Sequence, residues 1–195
     1  MLNRVEQKEA KKQSLLSSAY ALFTEKGVAK TSVDEIVRHA NVAKGTFYLY
    51  FKDKGDLLQQ LVYKISYKVL NEAYQSMQEQ KSVDFTKNVL SMLDYVIEYL
   101  KKNRLVLRLI ERNFSWPMVE KQLASLTDPL WQKLVEALEV SPLAQKYTQD
   151  EMFKIIYVLV EMCGSICYSS IIEEKPASID HMKPVLYEIV RKTLQ

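Results

Sequence analysis

The stretch that decides the fold runs from Lys30 to Leu58 and reads KTSVDEIVRHANVAKGTFYLYFKDKGDLL. From Val33 to Ala40, apolar residues recur every third or fourth position, which is the spacing of one buried face of a short helix. Ser32 stands just ahead of this run and Glu35 follows three residues later. These two side chains therefore predict a capping box at the start of the helix.

A second short helix is predicted at about residues 43–50. Asn41 suits the position where the chain leaves the preceding helix through a left-handed conformation. Phe47 and Phe51 are expected to be buried anchors that hold the second helix against its neighbours. Two short helices joined by a tight turn predict a helix-turn-helix, whose second helix has the size of the DNA major groove.

The flanks of this stretch extend the helical pattern. An apolar face from Leu15 to Phe23 predicts a first helix, which Gly27 ends. Asp53 is expected to cap a fourth helix that continues to about Glu79. Sustained alternation of apolar and polar residues is absent, so the sequence predicts an all-α fold.

The rest of the chain continues this pattern. Further helices are expected near residues 84–101, 103–113, 117–126, 128–139, 148–173 and 181–194. Pro184 falls in the first turn of the last helix, where its missing N–H matters little. The predicted architecture is an N-terminal three-helix head over residues 1–53, joined by the long fourth helix to a C-terminal helical body over residues 54–195.

The net charge of the 195 residues is +3, and all of the excess lies in the first third of the chain. Residues 1–60 hold ten Lys and Arg against seven Asp and Glu, whereas the remaining residues hold seventeen of each. A basic head on a neutral body suggests an anionic partner for the head. Ordinary scatter of surface charge is the alternative, and charge alone does not decide between them.

The exposed residues of the predicted second helix have the chemistry that DNA binding needs. Lys44 can reach a base edge or a phosphate, and Gly45 lets the backbone approach the duplex closely. Thr46 offers a hydroxyl and a methyl group. Tyr48 and Tyr50 offer phenol donors to phosphate oxygens.

Lys54 extends this set at the start of the fourth helix, where its charge adds to that of free backbone N–H groups. Structural alternatives remain open for each residue. Tyr48 and Tyr50 could pack against the first helix, and Lys44 and Lys54 could be idle surface lysines.

At these residues the sequence closely resembles the DNA-binding head of the TetR/AcrR transcriptional regulators. The matching motifs are Phe23–Val28, Thr31-Ser32, Lys44-Gly45-Thr46-Phe47-Tyr48, Phe51-Lys52-Asp53-Lys54 and Leu57-Leu58. Ala43 departs from the family pattern, which often has a capping serine there, and Tyr50 stands where histidine is frequent. The match covers about fifty residues, and its combination of motifs is specific.

The resemblance implies a homodimer that binds a near-palindromic double-stranded DNA operator and usually represses transcription. A small molecule bound in the body typically changes the spacing of the two heads and releases the DNA. The residues that the resemblance assigns to DNA contact are Thr31, Ser32, Lys44, Gly45, Thr46, Tyr48, Tyr50 and Lys54. Thr31 and Ser32 are also explained as helix caps, whether or not they touch DNA.

The body carries weaker signals for an effector. The aromatic and methionine residues that could line a cavity are Tyr95, Tyr99, Phe114, Trp116, Met118, Tyr157, Met162 and Tyr168. Packing in the bundle core is the favoured alternative for each of them. A basic stripe of Arg104, Arg108 and Arg112 could hold an anionic effector, although a solvated or salt-bridged face is favoured. Cys163 and Cys167 lie four residues apart on one face and could have a redox or soft-metal role, although small buried residues are the favoured interpretation.

The last two helices are the predicted dimer surface, as a four-helix bundle across a twofold axis. The residues expected there are Ile155, Val158, Leu159, Met162, Val185, Leu186, Ile189 and Val190. One short helix reads too few base pairs, whereas two heads roughly 34 Å apart would meet successive major grooves.

Other classes of protein are disfavoured. The apolar run Ile155–Ile172 is barely long enough to cross a membrane and contains Glu161, so packing inside a bundle or between subunits is the preferred interpretation. No catalytic constellation, metal site or cofactor motif is found, and an enzyme is not expected. The chain is expected to be cytoplasmic, since it starts without a secretory signal. A binding or architectural protein whose head lacks specific operator control is the alternative.

Overall fold

The computed structural model describes residues 3–111 and 128–195, and every regular element within these two ranges is helical. In chain order the α-helices are α1 (Arg4–Lys26), α2 (Val33–His39), α3 (Lys44–Tyr48), α4 (Lys54–Glu79), α5 (Phe85–Lys102), α6 (Arg104–Glu111), α7 (Pro129–Glu139), α8 (Gln149–Tyr168) and α9 (Ile179–Leu194). A 3-10 turn, Pro142–Gln145, precedes α8, and a π turn, Ser169–Glu173, follows it. The predicted all-α fold is confirmed.

The described bounds of α2 to α9 lie within a few residues of the predicted ones, whereas α1 begins at Arg4, well before the Leu15–Phe23 face from which it was predicted. The largest consequence concerns α9, which begins at Ile179 after Ser178 instead of at residue 181. Pro184 therefore lies inside this helix, and its placement in the first turn was wrong. The predicted helix at 117–126 lies outside the described residues.

Residues 3–65 form one compact unit, which contains α1 to α3 and the first half of α4. Its core is built from side chains with no exposed surface, one from each helix: Leu15, Ile36, Phe47 and Leu57. The Phe47 ring lies 5.4 Å from that of Phe51, which is also buried. Both aromatic residues are therefore the buried anchors that the sequence predicts.

The turns of this unit follow from local residue chemistry. Gly27 ends α1 with a φ of 87°, and Asn41 leaves α2 with a φ of 52°, a region that L side chains other than Asn rarely enter. Asp53 caps the start of α4, because its Oδ1 accepts the Asp56 N–H at 2.8 Å.

The predicted capping box of α2 is present. Ser32 Oγ accepts the Glu35 N–H at 3.2 Å, and Glu35 Oε2 accepts the Ser32 N–H at 2.8 Å. Glu35 also pairs with the Lys26 ammonium at the end of α1. The hydrogen bond from Lys26, followed by those from Ser32, lowers the pKa of Glu35 to about 2. This carboxylate therefore ties α2 to α1 as well as capping it.

Residues 66–111 and 128–195 form a second compact unit, so the division by packing falls within α4. The predicted functional boundary at residues 53 and 54 stays a prediction. The fully buried side chains of this unit include Ile97 of α5, Leu186 and Leu194 of α9, and Leu107 of α6 is nearly so.

A polar cluster joins α9 to α5 in the second unit. The Lys183 ammonium donates to Asp94 Oδ1 at 2.8 Å and also pairs with Glu98. The Tyr187 hydroxyl donates to the same Asp94 oxygen at 2.5 Å. Burial opposes ionisation of Asp94, but the hydrogen bonds from Lys183 and Tyr187 lower its pKa below the usual value. These contacts fix the rotation of α9 about its axis.

Two cysteines lie one turn apart on α8. Burial raises the pKa of Cys163 to about 11 and that of Cys167 to about 12. Both thiols are therefore protonated at neutral pH, which suits packing residues and not reactive ones.

The packing of α3 generates a stability prediction. Phe47→Ala removes a fully buried ring and should lower the free energy of unfolding of the head by about 3–5 kcal/mol. Leu49→Ala, two residues away and 76% exposed, should change it by less than about 0.5 kcal/mol. Urea unfolding followed by circular dichroism measures both. Equal losses in the two variants would contradict the packing described here.

Candidate nucleic-acid interface

The second helix of the predicted helix-turn-helix, α3, has one buried and one exposed side. Each residue turns the helix by about 100°, so Lys44, Gly45 and Tyr48 fall on one side. All three are exposed. Phe47 points into the core, and Thr46 lies at the edge, half-buried. The exposed side therefore carries a cation, a glycine and a phenol.

Lys44 forms an ion pair across the helix-turn-helix. Its ammonium lies 2.8 Å from Asp34 Oδ1 of α2, and both side chains are more than half exposed. The hydrogen bond and the charge of Asp34 raise the pKa of Lys44 above its usual value. Exposed ion pairs of this kind are weak, so Lys44 can exchange Asp34 for another anion.

The two tyrosines differ in exposure. Tyr48 is 55% exposed, although its ring meets that of Phe47 edge-on at 5.3 Å. Tyr50 is half-buried, and its ring lies 6.4 Å from that of Phe51. The outer part of Tyr48 is therefore open to a ligand, whereas Tyr50 is partly used in packing.

The hydroxyl groups of Thr31 and Ser32 already have partners in the head. Thr31 is buried, and its hydroxyl donates to the Gly27 carbonyl oxygen at 2.9 Å. Ser32 is exposed and serves as the cap of α2 through Glu35. At α3 the corresponding position is Ala43, which makes no side-chain cap, as its lack of a hydroxyl requires.

Lys54 has an internal role that the sequence did not reveal. Its ammonium donates to the carbonyl oxygens of Val28 and Thr31, each at 2.8 Å. These contacts join the first residue of α4 to the loop between α1 and α2. A lysine can thus be satisfied by loop carbonyls 23 and 26 residues away, which no spacing in the sequence indicates.

One exposed residue of the interface is missing from the predicted set. Leu49, directly after α3, is 76% exposed and lies beside Tyr48. The 100° rotation between residues would have placed it near the side that carries Gly45 and Tyr48.

The predicted dimer residues divide into two groups. Val158, Val185 and Ile189 are exposed on α8 and α9. Ile155 and Met162 are half-buried. The remaining three, Leu159, Leu186 and Val190, pack inside their own subunit. Tyr157 and Val160 add exposed apolar surface on α8 that the sequence prediction did not include.

One segment in the described ranges, Gln149–Glu173, is long and apolar enough to cross a membrane by length and composition alone. Only 22% of its most apolar window is buried within the subunit. An apolar helix this exposed is expected to be covered by another surface, and the exposed valines of α8 are part of the area that would be covered.

The predicted effector residues are only partly described. Phe114, Trp116 and Met118 lie outside the described residues, as does Arg112 of the basic stripe. Tyr95 is half-buried on α5 and lies 3.3 Å from Glu72 of α4 through its hydroxyl. The others are Tyr99, Met162 and Tyr168, which are half-buried, and Tyr157, which is exposed.

One residue of the predicted basic stripe, Arg104, has a structural role. Arg104 donates to the Ile171 carbonyl oxygen at 2.5 Å and lies 3.8 Å from Glu174, so it holds the π turn after α8. Arg108 is exposed. Across residues 3–111 and 128–195, no three His, Cys, Asp or Glu side chains are grouped so that they could hold a metal ion.

Comparison with known proteins agrees with this geometry. The family model described as bacterial regulatory proteins, tetR family, matches residues 15–61, which contain α2 and α3. The HTH-type transcriptional regulator YhgD of Bacillus subtilis is 24% identical over 159 residues, covering 77% of this chain and 82% of its own.

Solved structures share the fold over nearly the whole chain. A TetR transcriptional regulator from Rhodococcus sp. RHA1 matches with a TM-score of 0.63 at 18% identity, covering 97% of this chain and 98% of its own. The regulator FadR of Bacillus subtilis, solved in complex with stearoyl-CoA, matches with a TM-score of 0.61 at 14% identity. That match covers 94% of this chain and 99% of FadR.

Three observations agree with one another: the helix-turn-helix, the family match over it, and the sequence similarity to regulators along most of the chain. Residues 15–61 therefore carry the DNA-binding domain of the bacterial TetR family of regulatory proteins, and the chain is similar to transcriptional regulators along most of its length.

Proposed function

We propose that this regulator is a homodimeric repressor that binds a palindromic operator and is released from it by a small-molecule effector. The observation that carries the proposal is the exposed side of α3, which presents Lys44, Gly45 and Tyr48 to solvent while Phe47 is buried in the core. A side chain that the core does not use is free to enter the major groove.

The proposed contacts have different roles. Lys44 exchanges Asp34 for a guanine edge or a phosphate, and Gly45 allows close approach of the backbone. Thr46 contacts a base edge, and Tyr48 donates to a phosphate oxygen. Thr31 is buried and holds the head in shape through its hydrogen bond to Gly27, so its hydroxyl does not reach a phosphate. Ser32, Tyr50 and Lys54 also support the fold of the head and add phosphate contacts.

Dimerisation supplies the second reading head. A palindrome is read by two equivalent helices whose separation matches one turn of DNA, roughly 34 Å. The exposed apolar residues of α8 and α9 support an isologous four-helix bundle as the interface. A regulator that binds operator DNA is proposed to act in the cytoplasm.

The effector is proposed to act through the spacing of the two heads, each of which stays folded. Acyl-CoA thioesters belong among the first compounds to test, because the fold neighbour FadR was solved with stearoyl-CoA. Inter-head distances from paired spin labels, with and without an effector that releases DNA, should differ. Release without any change in distance would reject this mechanism.

Selection from a random DNA pool tests the DNA-binding part of the proposal. The bound sequences should converge on a dyad-symmetric site. Non-specific binding by an architectural protein would instead give no consensus, and its affinity would depend on salt but not on sequence.

On the selected site, Lys44→Ala and Tyr48→Ala should each weaken binding by about 1–3 kcal/mol, because each loses a contact to DNA. Fluorescence anisotropy at fixed salt measures the dissociation constants. Lys68→Ala is the matched control, because Lys68 is also an exposed helical lysine next to a carboxylate, Glu72 at 3.8 Å. If Lys44→Ala and Lys68→Ala weaken binding equally, Lys44 contributes only its positive charge and makes no specific contact to DNA.

A charge in the proposed dimer interface should separate the subunits. Val158→Glu buries a carboxylate against the apolar surface of the second subunit and should convert the dimer to monomer at micromolar concentration. Val83→Glu makes the same change at a fully exposed loop position and should leave the dimer intact. Sedimentation equilibrium measures both. A dimeric Val158→Glu variant would exclude α8 from the interface.

A further inference from the structure

Leu49 places an apolar side chain on the surface of the head, where it adds nothing to the core. It is 76% exposed, more than any other large apolar side chain described in residues 3–65. Its backbone N–H is bonded to the carbonyl oxygen of Thr46 at 3.3 Å, so the backbone at Leu49 is tied to α3. The head thus presents this apolar side chain to solvent.

The direction of Leu49 follows from the helix. The residue has φ −74° and ψ −21°, so the chain still follows the helical path of α3. Relative to Lys44, Tyr48 then lies about 40° and Leu49 about 140° around the helix axis, whereas Phe47 lies about 300° around it. Gly45, at about 100°, lies between Tyr48 and Leu49.

The chemistry of the major groove limits what this side chain can contact. Leucine neither donates nor accepts a hydrogen bond, so burying it against a base amide, a carbonyl or a phosphate would desolvate that group without a partner. The C5-methyl group of thymine is the apolar group that base edges present in the major groove. An apolar contact with this methyl is the one that gains from removing Leu49 from water.

We propose that Leu49 is a specificity-determining residue that contacts the C5-methyl of a thymine in each half-site of the operator. This inference rests on the proposed function, since it requires that α3 enter the major groove. Lys44 and Tyr48 fix the position of the helix, and Leu49 adds a preference for one base.

The experiment removes the methyl groups one at a time. In the selected operator, each thymine is replaced by deoxyuridine, which keeps the base pair and its hydrogen-bonding groups and deletes only the methyl. At one critical position, substitution in a single half-site should lower the affinity of the wild-type protein by about fourfold. Substitution at that position in both half-sites should lower it by about fifteenfold. The other thymines should have smaller effects.

Leu49→Ala completes a double-mutant cycle. This variant should bind the parent operator more weakly than the wild type and should lose the response to deoxyuridine at the critical position, while other positions keep theirs. Tyr48→Phe is the matched control on the same side of the helix, and it should retain the response. Circular dichroism spectra and urea unfolding check that Leu49→Ala keeps the stability of the wild type.

The possible failures can be told apart. A wild-type protein that selects no DNA site would overturn both the proposed function and this inference. A wild-type protein that binds a palindrome but tolerates deoxyuridine at every position would overturn the role of Leu49 alone. So would a Leu49→Ala variant that responds to deoxyuridine as strongly as the wild type.

Discussion

Burial of the Phe47 side chain is the constraint on which the candidate interface depends. The helix α3 has only five residues, too few to be stable in isolation, so its orientation is set by what it packs against. With Phe47 and Phe51 in the core of the head, the opposite side of α3 has to face solvent. The burial of Phe47 and Phe51 therefore determines which residues of α3 can face DNA.

Sequence was sufficient wherever a structural feature depends on neighbours a few positions away. The positive φ values of Gly27 and Asn41, and the capping box of Ser32 and Glu35, are local effects of backbone sterics and short hydrogen bonds. Helix positions were predictable for the same reason. The prediction for Pro184 was wrong because α9 begins at Ile179, slightly earlier than expected. Helix starts typically vary by a residue or two, and Ile179 adds a buried contact at the beginning of α9.

Features that depend on contacts between distant segments were not predictable. Helix α9 is apolar on more than one side, so periodicity could not separate Leu186, which packs in its own subunit, from Val185, which is exposed. Leu49 was missed because its exposure reflects how Phe47 orients the whole helix. The DNA contacts, the dimer and the effector stay predictions, since each concerns a molecule other than this chain.

The two lysines of the interface have opposite kinds of partner. Lys44 holds one exposed carboxylate, whereas Lys54 bonds two backbone carbonyls, which bring no opposing negative charge. Because the Lys54 contacts join the first turn of α4 to residues 28–31, a displacement of that turn draws the start of α2 along with it. The first turn of α4 and the loop that leads into α2 therefore form one rigid part of the head, next to the helix that presents Lys44 and Tyr48.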